Sequence, residues 1–333
     1  MKRFASRLAM LAVLVGALLA LCNAAAIRYT PPTVFSQKLS LIEQQDLSGV
    51  QVAIFGTSRP YHGVDPAALP WPAYNFCDLG QPLDLSYAVF HRQLPRMPHL
   101  GVLILGVDEF TFGIDDANLP SAEDYLDHGY DVPHATWMTR LRARIPLLRF
   151  RRNLLPQLLA ATLGKDFYDR TVVDDADRPG HPDHPCLMAR TGFFYTPTHA
   201  GDVSDALGER RAVDRRIGYN AALRAANRNL LATLLSEAVS HHIRVVLLRT
   251  PVHAAYRRHE DAALEHDFAD DVASVMQRFS PNDVKLLSYW KRDFPDIEYN
   301  DVDHLNGAGA QHLARLLAED AQWAFADKAL TSN

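Results

Sequence analysis

The sequence has little cysteine, no excess of positive charge and no glycine-rich turn, and each shortage excludes a class of protein. Only three cysteines occur among 333 residues, too few for a disulfide framework. A net charge of −5 argues against a nucleic-acid-binding protein, which needs a basic stripe. The segment Gly56-Thr57-Ser58 lacks the glycines that let a backbone approach pyrophosphate, which disfavours a dinucleotide-binding domain. No internal repeat is visible.

Metal-binding patterns and local basic surfaces are equally scarce. His181, His184 and Cys186 match no standard zinc spacing, so we predict a polar loop there, no bound metal and no cofactor. Cys77 and Cys186 could form a disulfide in an oxidising compartment or remain buried thiols. One arginine cluster is interpreted as a solvated helix face. Its members are Arg210, Arg211, Arg215 and Arg216.

One long apolar run is present, and it lies at the N-terminus. Leu8–Ile27 follows three positive residues and is long enough to cross a membrane as a helix. The triplet Ala24-Ala25-Ala26 would also suit a signal-peptidase site, so residues 1–27 are either a signal anchor or a cleaved signal peptide. The length of the run favours the anchor. Both alternatives place the rest of the chain in the periplasm or another compartment outside the cytoplasm.

Short apolar runs alternate with helical patterns through the rest of the chain. Val50–Phe55, Leu100–Leu105 and Ile243–Leu248 are typical of buried strands. Helices are predicted before the second and third runs, at Pro82–Leu94 and Asp214–Ser240. This alternation predicts an α/β fold with a parallel sheet.

The same patterns set the predicted domain boundaries. Residues 28–49 are interpreted as a connector, and residues 50–330 as one domain with an insertion at about 115–211. A basic helix is expected at Thr136–Leu163 within that insertion. Ile297–Tyr299 is a weaker strand candidate, and a closing amphipathic helix should begin near Gly307.

Polar residues with catalytic potential follow the predicted strands. Ser58, Asp108 and the pair Asp301–His304 should meet at the carboxyl edge of a parallel sheet. A carboxylate three residues before a histidine can orient the imidazole, which can then activate a hydroxyl. Ser58 alone would suggest a helix N-cap and His304 alone a structural residue, but their joint placement indicates a site. Asp303 is expected to project away from the ring.

Four short blocks resemble, in order, the SGNH (GDSL-like) hydrolase superfamily. They are Gly56-Thr57-Ser58-Arg59, Gly80 within Asn75–Gln81, Gly106-Val107-Asp108, and Asp301-x-x-His304. The resemblance spans roughly residues 50 to 325. It is greatest to the exported, membrane-anchored branch, which includes proteins similar to those that O-acetylate exopolysaccharides or load D-alanine onto wall polymers. It implies a three-layer α/β/α sandwich, flavodoxin-like, and acyl-ester chemistry.

The resemblance also implies a role for each matching residue. Ser58 would be the nucleophile, His304 the general base, and Asp301 the group that orients it. The backbone N–H groups of Ser58 and Gly80 would form an oxyanion hole, in which each donor is worth on the order of 3 kcal/mol.

Two positions depart from the family pattern. Thr57 replaces the usual acid, and Asp108 stands where an asparagine normally completes the oxyanion hole. An ionised carboxylate would repel an oxyanion. Asp108 is therefore protonated, or it points elsewhere, or Ser58 and Gly80 form the hole alone.

Five further residues are candidates for substrate contact. Arg59 could bind an anionic group or form a salt bridge. His253 and Tyr256 could contact substrate or belong to an ordinary strand-to-helix loop. Tyr289 and Trp290 could stack on a sugar, although a place in the core is the preferred interpretation.

Two functions follow from these expectations. The first is an exported serine-dependent esterase or O-acyltransferase that acts on a carbohydrate or a cell-envelope polymer, with a membrane acyl-transport protein as a further partner. The second is an inactive SGNH-like module that binds polymer or scaffolds an envelope assembly, which Asp108 motivates. Hydrolysis and transfer share the acyl-enzyme, and no residue decides between them.

Overall fold

The computed structural model describes residues 2–29, 33–115, 119, 121–145, 148, 172–173, 187–196 and 201–324. Several expectations lie outside these residues: the loop with His181 and His184, the pairing of Cys77 with Cys186, and most of the predicted helix beyond Arg144. The insertion at about 115–211 is therefore described only in part.

The described residues contain eight strands in two sheets. The strands are β1 Val52–Phe55, β2 Ala73–Asn75, β3 Val102–Gly106, β4 Val172–Val173, β5 Leu187–Ala189, β6 Phe194–Tyr195, β7 Arg244–Arg249 and β8 Val284–Ser288. Five of them form one parallel sheet in the order β2-β1-β3-β7-β8. The short strands β4, β5 and β6 form the second sheet. The predicted parallel sheet is confirmed.

Helices cover both faces of the parallel sheet. The helices of the described residues are α1 Lys2–Tyr29, which does not pack on the sheet, α2 Val34–Gln44, α3 Ser58–Gly63, α4 Leu83–Gln93, α5 Ala122–Asp127, α6 Trp137–Arg144, α7 Asp205–Gly218, α8 Arg224–Ser240, α9 Ala254–Arg257, α10 Ala262–Met276 and α11 Gly307–Asp320. Apolar side chains of α4, α8 and α10 pack in the core on one face, and those of α3 and α11 pack on the other. The α/β architecture with helices on both sides is thus confirmed.

The two cores follow from the alternation of side chains along each strand. In β1, Ala53 and Phe55 enter one core, whereas Val52 and Ile54 enter the other. A strand that is buried on both faces has no polar position, which is why its sequence is a continuous apolar run. The three predicted strands are found within two residues of their expected bounds.

The sequence patterns misplaced some elements. Ile297–Tyr299 is not a strand, because a 3-10 turn occupies Asp296–Glu298 and only Tyr299 makes a single bridge. The fifth strand is β8, which lies at an edge of the sheet and carries the polar residues Lys285 and Ser288 that obscured its pattern.

The helix expected over Asp214–Ser240 is two helices. α7 ends at Gly218, a 3-10 turn covers Ala221–Leu223, and α8 begins at Arg224. This break lets α7 leave the sheet and run beside the loop that carries His304. The start of the closing helix at Gly307 is confirmed.

The first two helices belong to different environments. The segment Arg3–Ala24 of α1 is long and apolar enough to cross a membrane, and none of it is buried against the rest of the protein. In contrast, α2 lies within the predicted connector, yet Leu39 and Ile42 are buried in the main core. α1 is compatible with either an anchor or a signal sequence.

Candidate active site

Ser58 is the first residue of α3, directly after β1, and its hydroxyl faces a histidine. The N-cap position belongs to Thr57, so Ser58 does not cap the helix. Its Oγ lies 2.7 Å from Nε2 of His304, although the two residues are 246 positions apart in sequence. Both are 8% exposed. The fold therefore brings together the two ends of the chain that the sequence singled out.

Two glycines allow α3 to approach the sheet closely. Gly56 has a φ of +135°, a conformation that residues with a Cβ rarely adopt. A Cβ at Gly106, at the end of the neighbouring strand β3, would lie 2.5 Å from Cγ of Pro60 in α3. Because these two positions have no side chain, α3 and its first residue, Ser58, can lie close to the sheet.

Asn75 holds α3 from the other side. Its Nδ2 donates to the carbonyl oxygens of Pro60 and Val64, each at 3.1 Å, and its Oδ1 accepts from the N–H of Cys77 at 3.0 Å. The Pro60 carbonyl also accepts from the N–H of Val64 at 3.1 Å, so Asn75 adds a second bond there and a further one to the residue that ends α3. Asn75 thus holds in place the helix that begins at Ser58, a role that the sequence analysis did not predict.

A tight turn presents Asp301 to the ring of His304. Asp301 Oδ1 accepts from the N–H groups of Asp303 and His304, at 3.0 and 2.9 Å. The same carboxylate lies 2.9 and 3.0 Å from Nδ1 of His304 through its two oxygens. The spacing Asp-x-x-His therefore works as an Asx turn, in which one carboxylate organises the backbone and receives the imidazole N–H. Ser58, His304 and Asp301 form a continuous chain of hydrogen bonds.

The expectation that Asp303 projects away from the ring of His304 is wrong. Its Oδ1 lies 3.5 Å from His304 Nδ1, and its side chain is fully buried. Burial would raise the pKa of this carboxyl group, but the charges of His304, Arg215, Arg59 and Arg211 outweigh burial and lower it. Asp303 is therefore a second ionised group beside the imidazole.

The arginines that hold these carboxylates come from α7. Arg211 Nη2 lies 3.2 Å from Asp301 Oδ2, and Arg215 Nη2 lies 2.8 Å from Asp303 Oδ2. The interpretation of this arginine cluster as a solvated face is wrong for these two residues, because α7 lies against the turn that carries Asp301 and Asp303. The break between α7 and α8, which the sequence pattern missed, makes this placement possible.

Asp108, the doubtful oxyanion residue, is engaged by other groups. Its Oδ2 accepts from Arg59 Nη1 at 2.9 Å and its Oδ1 accepts from the N–H of Phe110 at 3.0 Å. Of the three alternatives left by the sequence, this geometry matches a carboxylate that points toward a counter-ion.

Arg59 is buried and is surrounded by three carboxylates. It pairs with Asp108, with Glu109 at 3.2 Å, and lies 3.8 Å from Asp303. Burial opposes its charge, yet these carboxylates raise its pKa well above the usual value. Of the two roles considered for Arg59, the structure places it in the salt bridge.

Tyr256 belongs to the same buried cluster, whereas His253 lies apart from it. The Tyr256 hydroxyl donates to Glu109 Oε1 at 2.8 Å. His253 caps α9 through its ring and lies 3.1 Å from the exposed Asp296. A substrate would reach Tyr256 only if the cluster opened. The structure does not bring these two candidates to the Ser58 hydroxyl.

Gly80 lies in the loop after β2, beside the start of α3. The loop is joined to the first block by the bond from the N–H of Asp78 to the carbonyl of Gly56, at 3.3 Å. Gly80 is exposed and has a φ of +64°, which favours glycine. Its N–H remains the second expected oxyanion donor.

Tyr289 and Trp290 are core residues, 4% and 1% exposed. The Trp290 ring lies between two arginines, with the Arg249 guanidinium 3.8 Å and the Arg59 guanidinium 4.9 Å from its centroid. Trp290 therefore contributes to the buried charged cluster. The preferred interpretation of both aromatics agrees with this placement.

His62 is a site residue that sequence reasoning missed. It lies one turn after Ser58 in α3, and its ring is 5.3 Å from that of His304 in an edge-to-face arrangement. Burial and the neighbouring His304 lower the pKa of His62 to about 3. A neutral ring thus packs against the candidate base. The i to i+4 spacing from Ser58 was the signal that could have identified it.

The donor atoms of Asp301, Asp303 and His304 lie within 4.8 Å of one another, close enough to hold a metal ion. However, Arg211 and Arg215 already neutralise the two carboxylates. This donor set fits an imidazole that gains a proton better than it fits a metal cation.

Comparisons with known proteins add little to the geometry. No protein-family model and no curated protein matches the sequence. One similar solved structure is a Bacteroides fragilis protein that is proposed to be an acylhydrolase, with a TM-score of 0.37 and 10% identity over 87% of this chain and 94% of the other. A likeness with so low a TM-score and identity says nothing about reaction or substrate.

Proposed function

We propose that the protein is an exported serine-dependent esterase or O-acyltransferase that acts on a carbohydrate or a cell-envelope polymer. One observation carries the proposal: Ser58 Oγ is 2.7 Å from His304 Nε2, and His304 Nδ1 is 2.9 Å from Asp301. This is the arrangement that a nucleophile, a base and an orienting acid require, and the three residues are the ones that the sequence pattern indicates.

The chemistry begins with attack by Ser58 Oγ on an ester carbonyl carbon. The hydroxyl proton passes to His304 Nε2, while the carbonyl oxygen becomes an oxyanion that accepts from the N–H groups of Ser58 and Gly80. When the C–O bond to the leaving group breaks, that oxygen takes the proton from Nε2. The acyl group is then bound as an ester to Ser58. Asp301 and Asp303 stabilise the imidazolium that exists between these steps.

The second half of the reaction repeats the first with a new nucleophile. Water or a sugar hydroxyl attacks the acyl-enzyme, loses its proton to His304 Nε2, and releases Ser58 as that proton returns to Oγ. Water gives hydrolysis and a sugar gives transfer. An uncleaved α1 would favour transfer, because it would keep the enzyme beside a membrane acyl-transport protein.

Labelling with a fluorophosphonate tests the proposal. The wild-type chain in detergent should be labelled and should hydrolyse p-nitrophenyl acetate, whereas Ser58→Ala and His304→Ala should lose both properties. Ser288→Ala, which changes an exposed serine at the end of a different parallel strand, and His312→Ala provide the matched controls.

A folded wild-type protein without Ser58-dependent labelling would count against catalysis. That result, together with retention on an immobilised polysaccharide, would favour the alternative of a binding module. Labelling that persists in Ser58→Ala would place the nucleophile elsewhere.

A further inference from the structure

The direction of α2 determines which edge of the sheet lies nearer in the chain to the apolar segment of α1. α1 ends at Tyr29 and Thr33 is the N-cap of α2. The chain from Tyr29 to Thr33 spans at most about 14 Å. The helical residues between Ala24 and Tyr29 add about 7.5 Å. The beginning of α2 therefore lies within about 22 Å of the end of the apolar span, whatever path the chain takes.

The beginning of α2 lies at the carboxyl edge of the sheet. Lys38 Nζ donates to the carbonyl oxygen of Asn75, the last residue of β2, at 2.6 Å. Thr33 Oγ1 donates to Asp124 Oδ2 at 2.8 Å, next to Tyr125, whose hydroxyl donates to Asp78 in the loop after β2. These contacts are on the side of the sheet where Ser58 follows β1 and Gly80 follows β2.

The end of α2 lies at the opposite, amino edge. Arg96, which lies just before β3, donates to the carbonyl oxygens of Ile42 and Gln45 at 2.9 and 2.6 Å. α2 thus runs antiparallel to the strands. The edge of the domain nearest to the membrane segment is the edge that carries the Ser58–His304 pair.

α2 is attached firmly enough to transmit this orientation. Lys38 is 1% exposed, donates also to the carbonyl oxygen of Gly192, and lies 4.7 Å from the Tyr61 ring of α3. Leu39 and Ile42 are buried in the main core. A helix held along its length cannot rotate independently of the sheet.

We propose that α2 holds the Ser58 edge of the domain toward the surface of the membrane that α1 enters, so that the acyl donor reaches Ser58 from the membrane side. This orientation rests on α1 being an uncleaved anchor, and its use for acyl transfer rests on the function proposed above. The partner of this edge is the lipid surface together with an acyl group presented there.

Energy transfer to the membrane surface tests the orientation without requiring catalysis. The full chain, with Cys22→Ser and Cys186→Ser, is placed in phosphatidylcholine nanodiscs that contain a rhodamine-labelled lipid. A fluorescein donor is attached through Ala206→Cys, an exposed position four residues beyond the bridge between Asp202 and Asp301, or through Gly49→Cys before β1. Cys77 is buried and does not compete for the label.

The donor at residue 206 should transfer energy more efficiently than the donor at residue 49. A 30-residue Gly/Ser insertion between Pro32 and Thr33 should abolish the difference, because it frees the domain from the anchor. Equal efficiencies without the insertion, the reverse order, or failure of the chain to enter nanodiscs would each overturn the proposal. Ser58→Ala should give the same efficiencies as the wild type, so that loss of catalysis and loss of orientation are separately visible.

Discussion

Two carboxylates contact the imidazole of His304, and the structure gives them different roles. Asp301 is hydrogen-bonded to Nδ1 and is 16% exposed, whereas Asp303 is fully buried and lies 3.5 Å from the same atom. Asp301 fixes the orientation of the ring. Asp303 neutralises buried arginines and adds negative charge beside the imidazolium.

Exchanging each carboxylate for an amide should separate these roles. Asp301→Asn should lower turnover of p-nitrophenyl acetate by about 10³-fold or more, because the amide no longer selects the required imidazole tautomer. Asp303→Asn should lower the free energy of unfolding by roughly 3 kcal/mol, because Arg59 and Arg215 lose a buried partner. Turnover and urea denaturation measure the two effects. A large stability loss for Asp301→Asn with little loss for Asp303→Asn would contradict the assignment.

His62 should make stability depend on pH. Burial and the adjacent His304 hold its folded-state pKa at about 3, below the ordinary value of 6.5. Protonation therefore favours the unfolded chain. The full stability is present above pH 6.5 and is lost as the pH falls from about 6.5 toward 3.

The variant His62→Phe keeps an aromatic ring beside Phe194 and His304 but cannot take up a proton. Between pH 7 and pH 5 the wild type should lose about 2 kcal/mol more of its free energy of unfolding than this variant. Denaturant titrations at the two pH values provide the measurement. Equal losses in both proteins would show that His62 titrates normally.

At the scale of a single element, the position of α3 depends on glycines that leave room for it beside the sheet. A Cβ at Gly106 would meet Pro60 at 2.5 Å, whereas a Cβ at Gly49 would have no atom within 4 Å. Gly106→Ala must therefore push α3 outward and move Ser58 away from His304. Small displacements of reacting groups cost large factors in rate.

Gly106→Ala should lower kcat/KM for p-nitrophenyl acetate at least about tenfold, and Gly49→Ala should leave it unchanged. Unfolding curves recorded in parallel distinguish displacement of α3 from general loss of structure. A folded Gly106→Ala variant with wild-type activity would refute this account of how Ser58 is positioned.

For the whole molecule, the boundary between membrane segment and folded domain lies before α2. The apolar span of α1 is unburied, while Leu39 and Ile42 of α2 fill the core. A chain that begins at Thr33 should be soluble without detergent and should unfold at the same denaturant concentration as the full chain.

A chain that begins at Val50 lacks α2 and the contacts of Lys38. It should be destabilised by roughly 4 kcal/mol or more, because two large apolar side chains leave the core and their cavity is exposed to water. Circular dichroism with urea denaturation compares the two chains. Equal stability would mean that α2 is a connector and not part of the domain.

Local sequence patterns were sufficient for the main strands, the closing helix and the selection of Ser58, Asp301 and His304. Continuous apolar runs identify doubly buried strands, and the Asp-x-x-His spacing contains its own turn. Local patterns did not predict β2, which has only three residues. They also did not predict β8, which has polar residues because it lies at an edge of the sheet. Each of these strands is stabilised by pairing with another strand that is distant in sequence, and a short stretch of sequence does not contain that partner.

The sequence by itself therefore determined the α/β class, the apolar N-terminal helix and the choice of the candidate triad, because these depend on side-chain type and near spacing. Only the tertiary structure decided which charges meet. It placed Arg59 against Asp108, Arg211 and Arg215 against the carboxylates beside His304, and α2 along the sheet. Partners of buried charges lie far apart in the chain, and the cost of leaving a buried charge unpaired, which selects them, arises only when the chain has folded.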